Sequence, residues 1–145
     1  MAITTAMCTS FKGELLGGTH DLDTHTLKLA LIKASPSGTY GAATTNYSDV
    51  TGNSDEASGT NYSAGGQNLD GATISTTGTT AIVDFTDEVF SNVTTSADGC
   101  IIYNSSASNK AICVIDFGGT VSATAGDLTI EFPAAGASTA VIRIA

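Results

Sequence analysis

Tryptophan is absent and aromatic residues make up only 6% of the 145-residue chain. A sugar-stacking platform, which needs flat aromatic faces, has little to be built from. Charge is scarce as well. Asp, Glu, Lys and Arg together are 13% of the chain, about half the usual share. The five basic residues, Lys12, Lys28, Lys33, Lys110 and Arg143, are scattered. Contact with DNA or RNA needs clustered cations that displace phosphate counterions, so nucleic acid is not expected as a partner. An anionic membrane surface is disfavoured on the same ground. The longest apolar runs, such as residues 111–115, are far too short to span a bilayer. Residues 1–10 have neither the cationic start nor the apolar stretch of a secretion signal, so synthesis and assembly in a cytoplasm are expected. In that setting the Asn-x-Ser/Thr triplets at Asn46, Asn61, Asn92 and Asn104 carry no glycan. Three cysteines, Cys8, Cys100 and Cys113, fit reduced buried thiols better than a disulfide scaffold. Cys100 and Cys113 fall on strands read as neighbours, which leaves one bridge between them open.

Catalytic motifs are missing too. The nearest approach to a hydrolase elbow, Gly52-Asn53-Ser54-Asp55-Glu56, lacks the second glycine and a following helix. No glycine-rich string matches a dinucleotide loop or a phosphate-binding loop with its lysine. No cysteine has a partner histidine in its sequence context. His20, Asp21, Asp23 and His25 are the best metal candidates, since alternate residues of a strand would present Asp21, Asp23 and His25 together. A zinc site wants a fourth ligand and a closed geometry, and a polar loop is the plainer reading. Asp49, Asn53, Asp55 and Glu56 are oxygen-rich but lack the calcium-loop spacing. Asp84, Asp87 and Glu88 resemble an acid/base couple less than an acidic turn. The expectation is therefore no catalytic residue, no cofactor and no metal.

What the chain does have is Thr, Ser, Asn and Gly. Short polar side chains lose little entropy on ordering, which suits surfaces buried in large assemblies, and β-proteins use the same residues in strands and turns. Ile3, Met7, Phe11 and Leu15 recur every four residues and predict a helix over 4–16, capped by Thr4 or Thr5 and stopped by Gly17-Gly18. From there the period changes to two. Residues 27–33 alternate, with Leu27, Leu29 and Leu31 on one face. Residues 35–71 form a long polar loop, predicted to contain short strands around Tyr47 and Tyr62. Within it Thr45-Asn46-Tyr47-Ser48 is echoed by Thr60-Asn61-Tyr62-Ser63. Further strands are predicted over 72–76, 80–85, 89–93, 99–104, 110–117, 128–132 and 139–144, with a break at Gly118-Gly119. The fold class is all-β: a single-domain antiparallel β-sandwich, jelly-roll-like, over residues 19–145, with one N-terminal helix in residues 1–18 packing on it.

Several blocks carry a resemblance. They are residues 10–20 (SFKGELLGGTH), 27–31 (LKLAL), 59–67 (GTNYSAGGQ), 102–111 (IYNSSASNKA), 116–119 (DFGG) and 142–145 (IRIA). Together they resemble a family of small virion-associated proteins of tailed bacteriophages. The resemblance implies a particle component and offers no catalytic motif. A capsid decoration (cement) protein is the first expectation, located in the virion, homo-oligomeric as a trimer or another ring, and bound to other virion proteins, chiefly the major capsid protein. The net charge of −9 fits an exterior site away from packaged DNA. A tail-tube, tail-tip or fibre-associated component is the alternative, followed by a host-surface binding module and an envelope-thinning glycan hydrolase. Interface candidates are Ile3, Met7, Phe11 and Leu15 on the helix and Tyr40, Tyr47 and Tyr62 from the loop. A helix outside the strand series leads to the expectation that residues 1–17 serve assembly more than folding.

Overall fold

The computed structural model describes residues 2–145; Met1, the first residue of the expected helical segment, lies outside the described residues. Eight strands form two antiparallel sheets: β1 (Ala6–Met7), β2 (Leu27–Lys33), β3 (Gln67–Asn68), β4 (Thr73–Thr77), β5 (Thr80–Asp84), β6 (Glu88–Asn104), β7 (Lys110–Ile130) and β8 (Ile142–Ile144). The larger sheet has the order β1-β7-β6-β2-β3 and the smaller β4-β5-β8. The all-β sandwich is thus as expected, with its eight strands divided five and three.

β2 sits inside the larger sheet, and position explains its burial. Alternation predicts one buried face, yet Ala30 and Ile32 are as fully buried as Leu29 and Leu31. Both faces of the strand are covered, as for the central strand of any two-sided core. Lys28 and Lys33 remain half-exposed at alternate ends.

β6 and β7 form one long hairpin where four separate strands were predicted. Gly118-Gly119 does not end a strand. Ala97 pairs with Val121 while Gly99 pairs with Asp116, so residues 117–120 bulge out of the ladder and pairing resumes beyond them. Gly118 takes φ +77° there, which glycine alone adopts without strain. The β4–β5 hairpin is tighter: Thr77 pairs with Thr80, and Gly78 at φ +61° opens the two-residue turn.

The N-terminal segment corrects the predicted helix. Helix α1 spans Thr9–Leu16, not 4–16, and Cys8, not Thr4 or Thr5, stands at its N-cap. Ala6 and Met7 instead pair with Val114 and Cys113 of β7, and Ile3 bridges to Tyr40. Ile3-Thr4-Thr5 is β-branched and stiff in the extended form, and pairing with a sheet edge satisfies backbone groups that a frayed first turn would leave to water. The predicted stop holds. Gly18 takes φ +80°, its N–H donates to the Leu15 carbonyl at 3.2 Å, and the Thr19 N–H donates to the Glu14 carbonyl at 2.9 Å. This double bond is the Schellman closure. Ile3, Cys8 and Phe11 all enter the core, so this segment contributes to the fold itself.

Residues 35–71 line the outer edge of β2. Glu56 pairs with Ile32 and the Ala57 N–H donates to the Leu31 carbonyl at 2.9 Å; further along, Gln67 and Asn68 pair with Leu29 and Lys28. Between these two contacts no strand lies beside β2, and the Leu31 N–H is taken up by the Tyr62 hydroxyl at 2.9 Å. The expected strands at Tyr47 and Tyr62 are displaced. Tyr47 precedes a short helix α2 (Ser48–Gly52), and the isolated bridges fall on Asn46 with Lys110 and Thr60 with Thr94.

Two adjacent carboxylates hold this loop. Asp55 is fully buried and accepts from the Tyr40 hydroxyl at 2.6 Å, the Gly38 N–H at 2.7 Å and the Ser37 N–H at 3.0 Å, with Lys33 Nζ 3.0 Å away. Glu56 accepts from Tyr47 on one oxygen, and on the other from Tyr62 at 3.0 Å and the Gly65 N–H at 2.6 Å. The sequence echo is explained here. Tyr47 and Tyr62 converge on the two oxygens of one carboxylate, while Asn46 and Asn61 each donate to a backbone carbonyl, of Ser108 and Asn92 respectively. Glu56→Ala strips three donors of their acceptor and is expected to cost about 2–4 kcal/mol. Urea denaturation checks this; a loss below about 1 kcal/mol would refute the anchor.

Candidate functional site

Most of the ionisable residues singled out in the sequence are taken up in internal bonding; Asp84 is an exception, its Oδ1 being buried without a hydrogen-bond partner. Asp49 accepts from the Thr45 N–H at 2.8 Å, and Asn53 donates to the Tyr40 hydroxyl at 3.1 Å. With Asp55 and Glu56 facing tyrosines, the four oxygen-bearing residues do not converge on one point. Burial alone would raise the Asp55 carboxyl. The hydrogen bonds from Tyr40, Ser37, Gly38 and Lys33 outweigh it and hold the group well below the usual carboxylate range. Burial, reinforced by Asp55, pushes the Tyr40 hydroxyl up to about 12. Asp87 accepts from the Phe132 N–H at 2.8 Å, Asp84 ends β5, and Glu88 is buried near Asp70, which together raise its carboxyl.

The His20–His25 segment is the polar loop that was the plainer reading of its sequence, and the alternating strand that would have presented Asp21, Asp23 and His25 together is not formed. It is a turn in which Asp21 accepts from the Asp23 and Thr24 N–H groups, both at 3.1 Å, and from the Thr24 hydroxyl at 2.7 Å. Its carboxyl is held below the usual range by those bonds. His20 and His25 turn instead toward Asn104. Among the described residues no three His, Cys, Asp or Glu side chains are placed to share an ion. All three cysteines are free and buried. Burial pushes Cys8 up to about 11 and Cys113 up to about 12, and Cys100 well above its ordinary value, so none is a ready nucleophile.

The surface that stands apart is apolar. Leu16, the last residue of α1, is 91% exposed, Ile74 of β4 53% and Ile144 of β8 48%. By cross-strand register Ile74, Val83 and Ile142 share one face of the smaller sheet, as do Ala81 and Ile144. That face looks across a groove of about 460 Å³ toward Leu15, His20 and Leu22. A second groove of about 390 Å³ adjoins it, sharing Leu15 and Ile144 and adding Met7, Leu16, Lys12 and Arg143. Lys12 and Arg143 form no ion pair among the described residues, whereas Lys33 and Lys110 do. The result is an apolar surface with two cations lacking carboxylate partners at its edge, Arg143 donating to the Ala137 carbonyl at 2.9 Å, on a chain of net charge −9.

The interface candidates read from the sequence divide. Met7 and Leu15 line the grooves. Ile3, Phe11 and Tyr40 are buried in the core and unavailable for contact. Tyr47 and Tyr62 are half-buried, with their hydroxyls on Glu56. Leu16, Ile74, Ile144, Lys12 and Arg143 were missed. One signal was present: Leu16 falls one position off the Ile3, Met7, Phe11, Leu15 spacing, so it lies about 100° round the helix from that stripe. The chain matches no family model, no curated protein and no solved structure.

Asp55 gives this network a pH signature. Its folded-state carboxyl lies below the unfolded value of 3.8, so its stabilisation is complete above that pH and is lost as acid protonates the folded form. Thermal melts from pH 7 down to pH 2 are expected to show Asp55→Asn losing less of its stability below about pH 4 than the parent. Parallel curves would refute this role.

Proposed function

We propose that this chain is a non-enzymatic structural component of a tailed-bacteriophage virion, most favourably a capsid decoration protein on the head exterior. The observation that carries the reading is the apolar face around Leu15, Leu16 and Ile144, edged by Lys12 and Arg143. A stable small domain has no use for a leucine 91% exposed beside two more half-exposed isoleucines, and contact with a neighbouring subunit removes them from water. These cations favour a partner surface carrying carboxylates, which other copies of this acidic chain or a capsid subunit can provide. The sequence blocks resembling small virion proteins agree with such a role. So do the carboxylates and imidazoles, which tie loops to strands. A net charge of −9 favours the outside of a DNA-filled shell.

A tail-tube or tail-tip role is supported by a different feature. β7 pairs with β1 only at Cys113 and Val114, and beyond Val114 its ladder bonds go to β6 alone. An open edge of this length is a template for strand addition between neighbours, the contact from which rings and tubes are built.

Mass spectrometry of purified heads against purified tails, followed by cryo-electron microscopy, distinguishes the two; absence from both overturns the virion reading. Leu16→Asp is expected to weaken self-association at least tenfold in sedimentation velocity and to shift Tm by no more than a few degrees, because the side chain is already in water. Unchanged association would exclude this face as the contact.

A further inference from the structure

Asn104 ends β6 and is fully buried. Its Nδ2 lies 3.0 Å from His20 Nδ1 and 2.9 Å from His25 Nδ1, and its Oδ1 accepts from the Ser106 N–H at 3.0 Å. The Ser106 amide fixes the orientation of the carboxamide: oxygen toward Ser106, NH2 toward the imidazoles. Two hydrogens then serve two rings, and each ring can receive one only through an unprotonated Nδ1. His25 Nδ1 also accepts from the Asp21 N–H at 3.3 Å, which reinforces the requirement. The other nitrogen of His20, Nε2, lies 3.1 Å from Glu14 Oε2, so its single proton belongs there and the buried ring is neutral.

The groups facing the pair come from each element around it. Glu14 arrives from α1 and Lys110 from β7, with its Nζ 3.6 Å from the Glu14 carboxylate. Phe11 of α1 packs on the His20 ring at a centroid distance of 4.9 Å. Burial disfavours a charged His20 more than Glu14 favours it, and Lys110 and His25 add to the disfavour.

We propose that the Asn104–His20–His25 cluster is a pH-sensitive latch that holds residues 18–26 and the end of α1 against the β6–β7 turn and so sets the shape of the apolar face. Adding a proton to Nδ1 of either histidine sets N–H against N–H. The ring can then no longer sit on Asn104, and the turn it anchors lets go. The proton comes from solvent and no covalent bond changes. His20 and Asp21 line the larger groove together with Leu15 and Ile144, so opening the latch deforms one wall of the proposed contact. The regulatory consequence rests on the reading of that face as an interface; the latch does not.

Amide hydrogen exchange on the full chain at pH 7.5 and pH 5.5, expressed as protection factors, tests it. Residues 18–26 are expected to lose at least tenfold in protection at the lower pH while β6 and β7 keep theirs. In the His20→Gln/His25→Gln double variant, whose amide oxygens accept the same bonds without titrating, protection is expected to stay equal at both values. Asn104→Asp offers a carboxylate to two imidazolium groups and is expected to reverse the dependence, with greater protection in acid. Unchanged protection in the parent, or the same acid loss in the double variant, overturns the latch, whatever association does. Sedimentation at both pH values separates the two claims. A segment that opens in a chain that stays monomeric throughout sinks the interface reading and leaves the latch standing.

Discussion

Asp55 and Glu56 point their carboxylates to different partners, and the long loop is held through them. Asp55 gathers Tyr40, Ser37 and Gly38 from the start of the loop; Glu56 gathers Tyr47, Tyr62 and Gly65 from its middle and end. Buried carboxylates are costly unless each lone pair finds a donor. Here the donors come from segments as far back along the chain as Lys33, so satisfying the charge and folding the loop are one event. The backbone of the same two residues runs beside β2, with Lys33 N–H on the Asp55 carbonyl at 2.8 Å. Three of the four tyrosines are fixed by the pair, and the fourth, Tyr103, stacks on Tyr47 at 4.5 Å and donates to the Gly65 carbonyl at 2.7 Å. A loop rich in glycine and hydroxyl side chains is thereby tied to the sheet at several points.

The division between what the sequence makes legible and what it hides follows physical lines. β2 and the β4–β5 hairpin are readable because local pattern and turn chemistry decide them: alternating leucines in one case, Gly78 in the other. The end of α1 is readable because Gly18 is required there. Its start is not, since Ile3, Met7 and Phe11 fit a helical period and an edge strand equally well, and only the presence of β7 a hundred or so residues later decides between them. Gly118-Gly119 misleads for a similar reason. Glycine marks a departure from regular pairing, and a bulge and a chain break carry the same signature.

The site was partly visible in the same way. Leu15 and Met7 were found through periodicity, but periodicity cannot say that Leu16 and Ile144 lie side by side, because α1 and β8 stand at opposite ends of the chain. The tyrosines looked like contact residues; Tyr40 donates to Asp55, and Tyr47 and Tyr62 to Glu56, bonds between side chains that no spacing rule predicts. His20 and His25 were the best candidates for an ion in a segment read more plainly as a polar loop. They share an amide that enters from residue 104, and the chemistry of that cluster depends on which ring nitrogen carries the proton. Its position beside Leu15 joins the histidines and the apolar face into one region, where the state of an internal bond sets the form of an external surface.

The pairing of Ala6 with Val114 sets an order of events during synthesis. The N-terminal strand emerges first and its partner about a hundred residues later, an interval of roughly 5–20 s at ordinary elongation rates. Throughout that time Ile3, Cys8 and Phe11 have no sheet to dock on. This segment therefore settles only after β7 has been made, and Leu16 and Met7 take their final positions with it. The apolar face that these residues carry is therefore absent from the growing chain until β7 is in place.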